Sequence, residues 1–268
     1  MGGEPSILIR DGSPPTCQYT FITIFELVFY TILPIAFFLK IAYYILTETQ
    51  YRFQKKGTDI MKKYELTNEI LDYDDGCVLH RIKALVDFAN VKAGDLGGFV
   101  EKEFNLSHEG NAWVYDDACV SGDARVYDNA CIFDNAQVLD DALVFDNAQV
   151  FGSASICANA RVCGNALVYG DSLVTDNSLV YDNALVYDRA CLFDYAQVFG
   201  HAKIYGYAHI SYYARVFGDA CVFDDAWVYG HTNVCGSANV YGHANVCSSA
   251  NVYGHALVNN GICSGNIK

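Results

Sequence analysis

The chain has 268 residues, with 31 acidic against 17 basic side chains and a formal net charge of −14. Nucleic-acid binding depends on basic patches that neutralise phosphates, so this balance excludes nucleic acid as a main partner. At this length one repeat domain with an accessory segment is the natural organisation.

Residues 1–19, MGGEPSILIRDGSPPTCQY, are polar and rich in Gly and Pro, and read as a disordered N-terminus. Gly2 and Ser6 fit the myristoylation pattern, a short signal that Pro5 marks as a chance match. Residues 20–47 are predicted to form a transmembrane helix. Only Glu26 and Lys40 carry charge between Thr20 and Leu46, and about 20 apolar residues suffice to cross a bilayer. Pro34 sits mid-span and should kink the helix or, in the second reading, permit a re-entrant hairpin. Arg52, Lys55, Lys56, Lys62 and Lys63 follow the span, whereas Arg10 alone precedes it. The positive-inside rule then gives a single-pass protein with its C-terminal domain on the cytoplasmic side and membrane lipid as a partner. Glu26 and Lys40 share a helix face but lie about 21 Å apart along it, too far to pair. Lys40 can snorkel to the basic side. Glu26 is an intramembrane carboxylate, and such groups mark functional sites.

Residues 48–63 read as a basic juxtamembrane linker, and residues 64–113 as the cap of a repeat domain. A hairpin or short strands in CVLHRIKALVDF, a Gly-rich turn from Gly94 to Gly98 and one irregular coil are expected there. A solenoid end exposes unpaired backbone and needs such a cover.

From residue 114 to 268 the chain is a hexapeptide repeat. An aliphatic residue recurs at every sixth position through Val114, Val120, Val126, Ile132 and onward to Val258, twenty-five times without an insertion. A fixed short period marks a solenoid. Six residues suit one short strand and one corner, so three repeats close a triangular coil of 18 residues. Ala118, Ala124, Ala130 and their equivalents lie two before each aliphatic and share its inward face. Pairs such as Asp128-Asn129 and Gly164-Asn165 supply corner residues that tolerate left-handed backbone. The acidity of the chain is largely this corner chemistry. About eight coils at roughly 4.8 Å each give a rod on the order of 40 Å long.

The string RIKALVDFANVKAGDLGGFVEKEFNLSHEGNAWVYDDA, from Arg81 to Ala118, resembles the opening module of YdcK-like, prophage-type hexapeptide-repeat β-solenoid proteins, and the likeness continues through the V-Y-G-x-A repeats to Val258. These proteins carry polymer-forming or acyltransferase-like descriptions. The resemblance implies an all-β, single-stranded left-handed triangular β-helix and no secure activity. The preceding transmembrane segment departs from the soluble members.

No catalytic, cofactor-binding or metal-ligating constellation emerges, and no small-molecule substrate is expected. Acyltransferases of this shape use a histidine and loops that leave the coil, and no loop interrupts the period after Val114. His201, His231, His243 and His255 replace Asn at the last corner position, and with His209 they form no cluster. Stacked corner aspartates such as Asp116 and Asp134 lack the spacing of a calcium-binding nonapeptide. Stacked coils place residues 18 apart side by side, and none of the cysteines so pairs: Cys119 and Cys191 share a face four coils apart, Cys131 and Cys221 five coils apart. Reduced thiols are therefore expected.

The residue after each aliphatic points outward. On one side these are Tyr115, Phe133, Phe151, Tyr169, Tyr187, Tyr205, Phe223 and Tyr241, all aromatic. A second side carries Tyr127, Phe145, Cys163, Tyr181, Phe199, Phe217, Cys235 and Tyr253, and the third is mixed. Stacked rings stabilise the rod, yet an uninterrupted aromatic strip also suits an interface. The sequence thus predicts a non-enzymatic, membrane-anchored scaffold whose rods self-associate through the Tyr115–Tyr241 side. In the alternative, the solenoids set the oligomer state of a membrane-active, pore-like helix assembly built around Glu26, Pro34 and Lys40.

Overall fold

The structure, a computed structural model, describes residues 61–73 and 76–268. The predicted N-terminus, the transmembrane segment with Glu26, Pro34 and Lys40, and nearly all of the basic linker lie outside the described residues. Among the described residues no helix is long and apolar enough to cross a membrane. Residues 61–268 form one compact unit.

The six-residue rhythm sets the architecture. Every aliphatic position from Val114 to Val258 is buried, and the small residue two before it is buried with it. Both side chains point into a narrow core, where valine fills the pleated strand and alanine leaves room for the corner. Two-residue strands such as Cys131–Ile132, Gln137–Val138 and Leu143–Val144 form the three sides of the coil. Each pairs in parallel with the strand one coil later, as in Ile132 with Val150, Val138 with Ile156 and Val144 with Val162. We call the sides bearing Val114, Val120 and Val126 one, two and three. Side three is a nine-stranded sheet. Sides one and two merge into a single sheet because the last strands, Asn239–Val246 and Leu257–Cys263, run around the corner between them.

Corner chemistry accounts for the acidity. Asp134, Asp140 and Asp194 adopt φ of 55°, 60° and 57°, a left-handed conformation that Asp tolerates better than most residues. Their carboxylates then accept the N–H of the residue 18 later: Gly152 N to Asp134 Oδ2 at 3.0 Å, Ala158 N to Asp140 at 2.9 Å and Tyr212 N to Asp194 at 2.9 Å. At the corner between sides three and one, Asn111, Asn129, Asn147, Asn165 and Asn183 form an amide ladder with Nδ2–Oδ1 distances of 3.0–3.1 Å. The polar corner groups therefore hold one coil to the next.

The N-terminal end is closed by a three-stranded cap. β1 (Tyr64–Tyr73) pairs antiparallel with β2 (Cys77–Ala84), and β2 with β3 (Leu96–Val100). Of the two expectations for CVLHRIKALVDF, a strand is found there as β2, and its hairpin partner is the upstream YELTNEILDY. β3 then pairs in parallel with Cys119–Val120 and starts side two, while Leu106 bridges to Val126 and starts side three. Gly98 must lack a side chain, since a Cβ there would lie 2.5 Å from the Ala118 carbonyl oxygen and 2.7 Å from Val114 Cγ1.

Each corner of the first coil offers carbonyls toward the open end, and one side chain or more covers each. Lys63 Nζ donates to Ala112 O at 2.8 Å. Arg81 Nη1 donates to Gly97 O at 2.8 Å and Asp116 O at 3.1 Å, with its guanidinium 4.3 Å from the Phe99 ring centre. Asn105 Nδ2 donates to Ala124 O at 2.8 Å and Lys102 Nζ to Gly122 O at 3.1 Å. Beneath side one, Trp113 meets Tyr64 and Phe88 edge-on, at 6.1 and 5.3 Å. Lys63, which the sequence places in a solvated linker, is instead a cap residue at 3% exposure. Burial lowers its pKa to about 8.

At the other end the tail adds one more, shortened coil. Leu257–Cys263 pairs with Asn239–Val246 through a register shift after Tyr241, and Asn266–Ile267 pairs with Asn251–Val252.

Candidate interaction surface

The eight residues of the predicted interface form the expected column on side one. Stacked ring centres lie 4.6 Å apart for Tyr115–Phe133 and 4.7, 4.9, 4.9, 4.8 and 5.2 Å apart from Phe151 through Tyr169, Tyr187, Tyr205 and Phe223 to Tyr241. All eight are half-buried. Stacking covers the ring faces and leaves mainly edges to solvent, so the strip presents less free apolar area than the alternation implies. Burial raises the pKa of Tyr169 and Tyr205 and pushes Tyr187 up to about 12. The column acts as a spine along the rod.

Side three buries its rings further. Phe145, Phe199 and Phe217 are buried although they point away from the core, and the Arg215 guanidinium sits 5.3 and 5.6 Å from the Phe199 and Phe217 ring centres.

Most of the exposed rings of the solenoid lie around side two. Tyr195, Tyr212 and Tyr213 occupy the corner between sides two and three, Trp227 points outward from the strand, and Tyr207 occupies the corner between sides one and two. Trp227 is 50% exposed and Tyr212 57%. Tyr195 stacks on Tyr213 at 5.1 Å and Tyr213 on His231 at 4.9 Å, while His209 lies 4.8 Å from Trp227 and 6.0 Å from Phe193. Arg189 Nη1 donates to the Tyr207 hydroxyl at 2.9 Å, and its Nε lies 3.5 Å from Asp171. These groups line an open groove with Gly170, Asp188 and Gly206. Tyr212 holds φ of 58° where most coils carry Asp or Gly, a conformation that costs a bulky residue roughly 1–2 kcal/mol. Reading only the residue after each aliphatic misses this set. The signal was the replacement of corner Asp and Asn by Tyr.

Other candidates are dispersed. His201, His231, His243 and His255 are exposed at corners, and His209 is half-buried on its strand, where burial lowers its pKa. Among the described residues no group of His, Cys, Asp or Glu is arranged to hold a metal ion. None of the nine cysteines whose side chains are described forms a disulfide. A partly buried titratable cluster belongs to the cap: His108 stacks on Tyr64 at 4.5 Å, receives the Lys63 N–H on Nδ1 at 3.2 Å and faces Glu103 at 3.1 Å. Burial lowers the pKa of His108 despite the Glu103 carboxylate.

A family model described as a YdcK β-solenoid repeat matches residues 160–176. An Escherichia coli (strain K12) protein named "Uncharacterized acetyltransferase YdcK" is 37% identical over 68 residues, which is 23% of this chain. The repeats resemble those of YdcK. The chain spans about a fifth (21%) of that relative's length, so the likeness supports a YdcK-like repeat solenoid.

Proposed function

We propose that the chain is a non-enzymatic scaffold: a β-solenoid rod, anchored on the cytoplasmic side of a membrane by residues 20–47, that self-associates and presents an interaction face. One observation carries this reading. The coil runs without an excursion from Val114 to Val258, and its corner carboxylates and amides bond to the adjacent coils. A rod so built is rigid and regular, and its open groove gathers no nucleophile beside a base.

Acyl transfer is the competing reading, favoured by the name of the E. coli relative. Incubating the full chain with acetyl-CoA and amine acceptors, and following thiol release, separates the two. The scaffold reading expects no release above background. Turnover that depends on His209 or His231 would overturn it. The pore-like alternative rests on Glu26, Pro34 and Lys40, and an ion leak in proteoliposomes abolished by Glu26→Gln would favour it.

A further inference from the structure

Exposed aromatics and charge divide the rod at the same place. Among solenoid residues 114–268 the exposed large aromatics are Tyr195, Tyr207, Tyr212, Tyr213, Trp227 and Tyr253, with none before Tyr195. All but Tyr253 border side two. Residues 114–194 hold thirteen aspartates against three arginines, whereas residues 195–268 hold three aspartates against three Lys and Arg. The C-terminal half is thus aromatic and nearly charge-balanced, and the N-terminal half is acidic.

We propose that the face formed by Tyr195, Tyr207, Tyr212, Tyr213 and Trp227 docks a second copy of the chain about a two-fold axis. This rests on the scaffold reading and names the partner of that face. Charge decides the arrangement. Parallel rods in register on side two would set the ten of these aspartates that flank that side against the same ten of the partner, across a contact where charges are screened only over a Debye length of about 8 Å at physiological salt. A two-fold contact through the C-terminal halves is self-complementary and points the acidic halves in opposite directions. The area is of the right order: five half-exposed rings supply roughly 100 Å² each, about 500 Å² of the roughly 800 Å² per partner in a specific interface. The intervening half-buried residues can supply the rest. Tyr and Trp are also the side chains enriched at interface hot spots. Tyr212 adds an independent sign, for an exposed aromatic stands at a strained corner where Asp fits better.

The test uses substitutions already compatible with the coil. Tyr195→Asn, Tyr212→Asp and Tyr213→Asn restore the residue types found at equivalent corners, so the triple variant should fold as well as the parent. Trp227→Gln, the residue type found at Gln137 and Gln197, tests the strand separately. Sedimentation velocity of the full chain in mild detergent, over a concentration series, should show self-association of the parent. Either variant should raise the dissociation constant at least about 100-fold without lowering the thermal midpoint. A parent that stays monomeric, or association unchanged in both variants, overturns the proposal. So does a monomeric parent that binds phosphatidylcholine–phosphatidylglycerol vesicles through these residues, which would assign the face to lipid. Acetyl-CoA turnover would defeat the scaffold reading while leaving the sedimentation result intact.

Discussion

Three core positions break the alanine rule, and their hydroxyls predict opposite effects of one substitution. Ser172, Ser178 and Thr232 stand where the other coils carry Ala, and are 1%, 0% and 0% exposed. Among the described residues Ser172 Oγ and Ser178 Oγ have no hydrogen-bond partner, whereas Thr232 Oγ1 donates to Tyr229 O at 2.7 Å. A buried hydroxyl without a partner carries a desolvation penalty of about 1–3 kcal/mol. Ser→Ala removes it and installs the side chain that this core accepts elsewhere. Each serine change should therefore stabilise by about 1 kcal/mol, which in a unit of this size raises the midpoint by roughly 2–4 °C. Thr232→Ala forfeits a satisfied bond and a methyl group, and should destabilise by about 1–2 kcal/mol. Thermal melts followed by far-UV circular dichroism would read all three. Equal loss of stability at all three sites would refute the reasoning, because it would mean that the serine hydroxyls are also satisfied.

The cap supplies further expectations. Lys63→Met should destabilise by about 1–3 kcal/mol by leaving the Ala112 carbonyl unpartnered. Burial holds the folded pKa of Lys63 near 8, below its unfolded value. Between those values the unfolded state binds more protons, so the parent should gain up to about 3 kcal/mol relative to Lys63→Met as pH rises from 8 to 10.5; a pH-independent difference would contradict this. On acidification the order of opening is set by depressed pKa values. His108, kept neutral by burial, contributes stability that is full above about 6.5 and declines as pH falls below it. Glu103 is held low by hydrogen bonding to Lys62, and its contribution is lost as pH falls below about 4.3. Hydrogen exchange should therefore show β1 and residues 103–108 opening before the central coils, and simultaneous opening would count against it. At a corner, Asp134→Ala should cost about 1–2 kcal/mol more than Asp134→Gly in denaturant melts, since φ of 55° suits Gly; equal costs would contradict the backbone argument.

The rod was legible because each coil repeats one local solution: an inward Val and Ala, an outward ring, and a corner that needs Asp, Asn or Gly. Even the acidity could be traced to corners. The cap was less legible. Lys63 looks like one of a run of solvated lysines, and only the register of β1 against β2 carries it under the Ala112 carbonyl. Exposure of the rings was hidden for a related reason. Alternation places Tyr169 and Tyr187 outward, but it does not say that each covers the other's face. Tyr212 and Tyr213 occupy corner positions, about whose exposure the alternation of inward and outward residues carries no information.

The claim that an aromatic face assembles this rod is tested most directly by a cryo-EM reconstruction of the full chain in detergent. It should show two rods crossing at side two, with Tyr213 and Trp227 of each against the other and the acidic ends apart. Solitary rods with that face bare, or rods joined along the Tyr115–Tyr241 column, would contradict it.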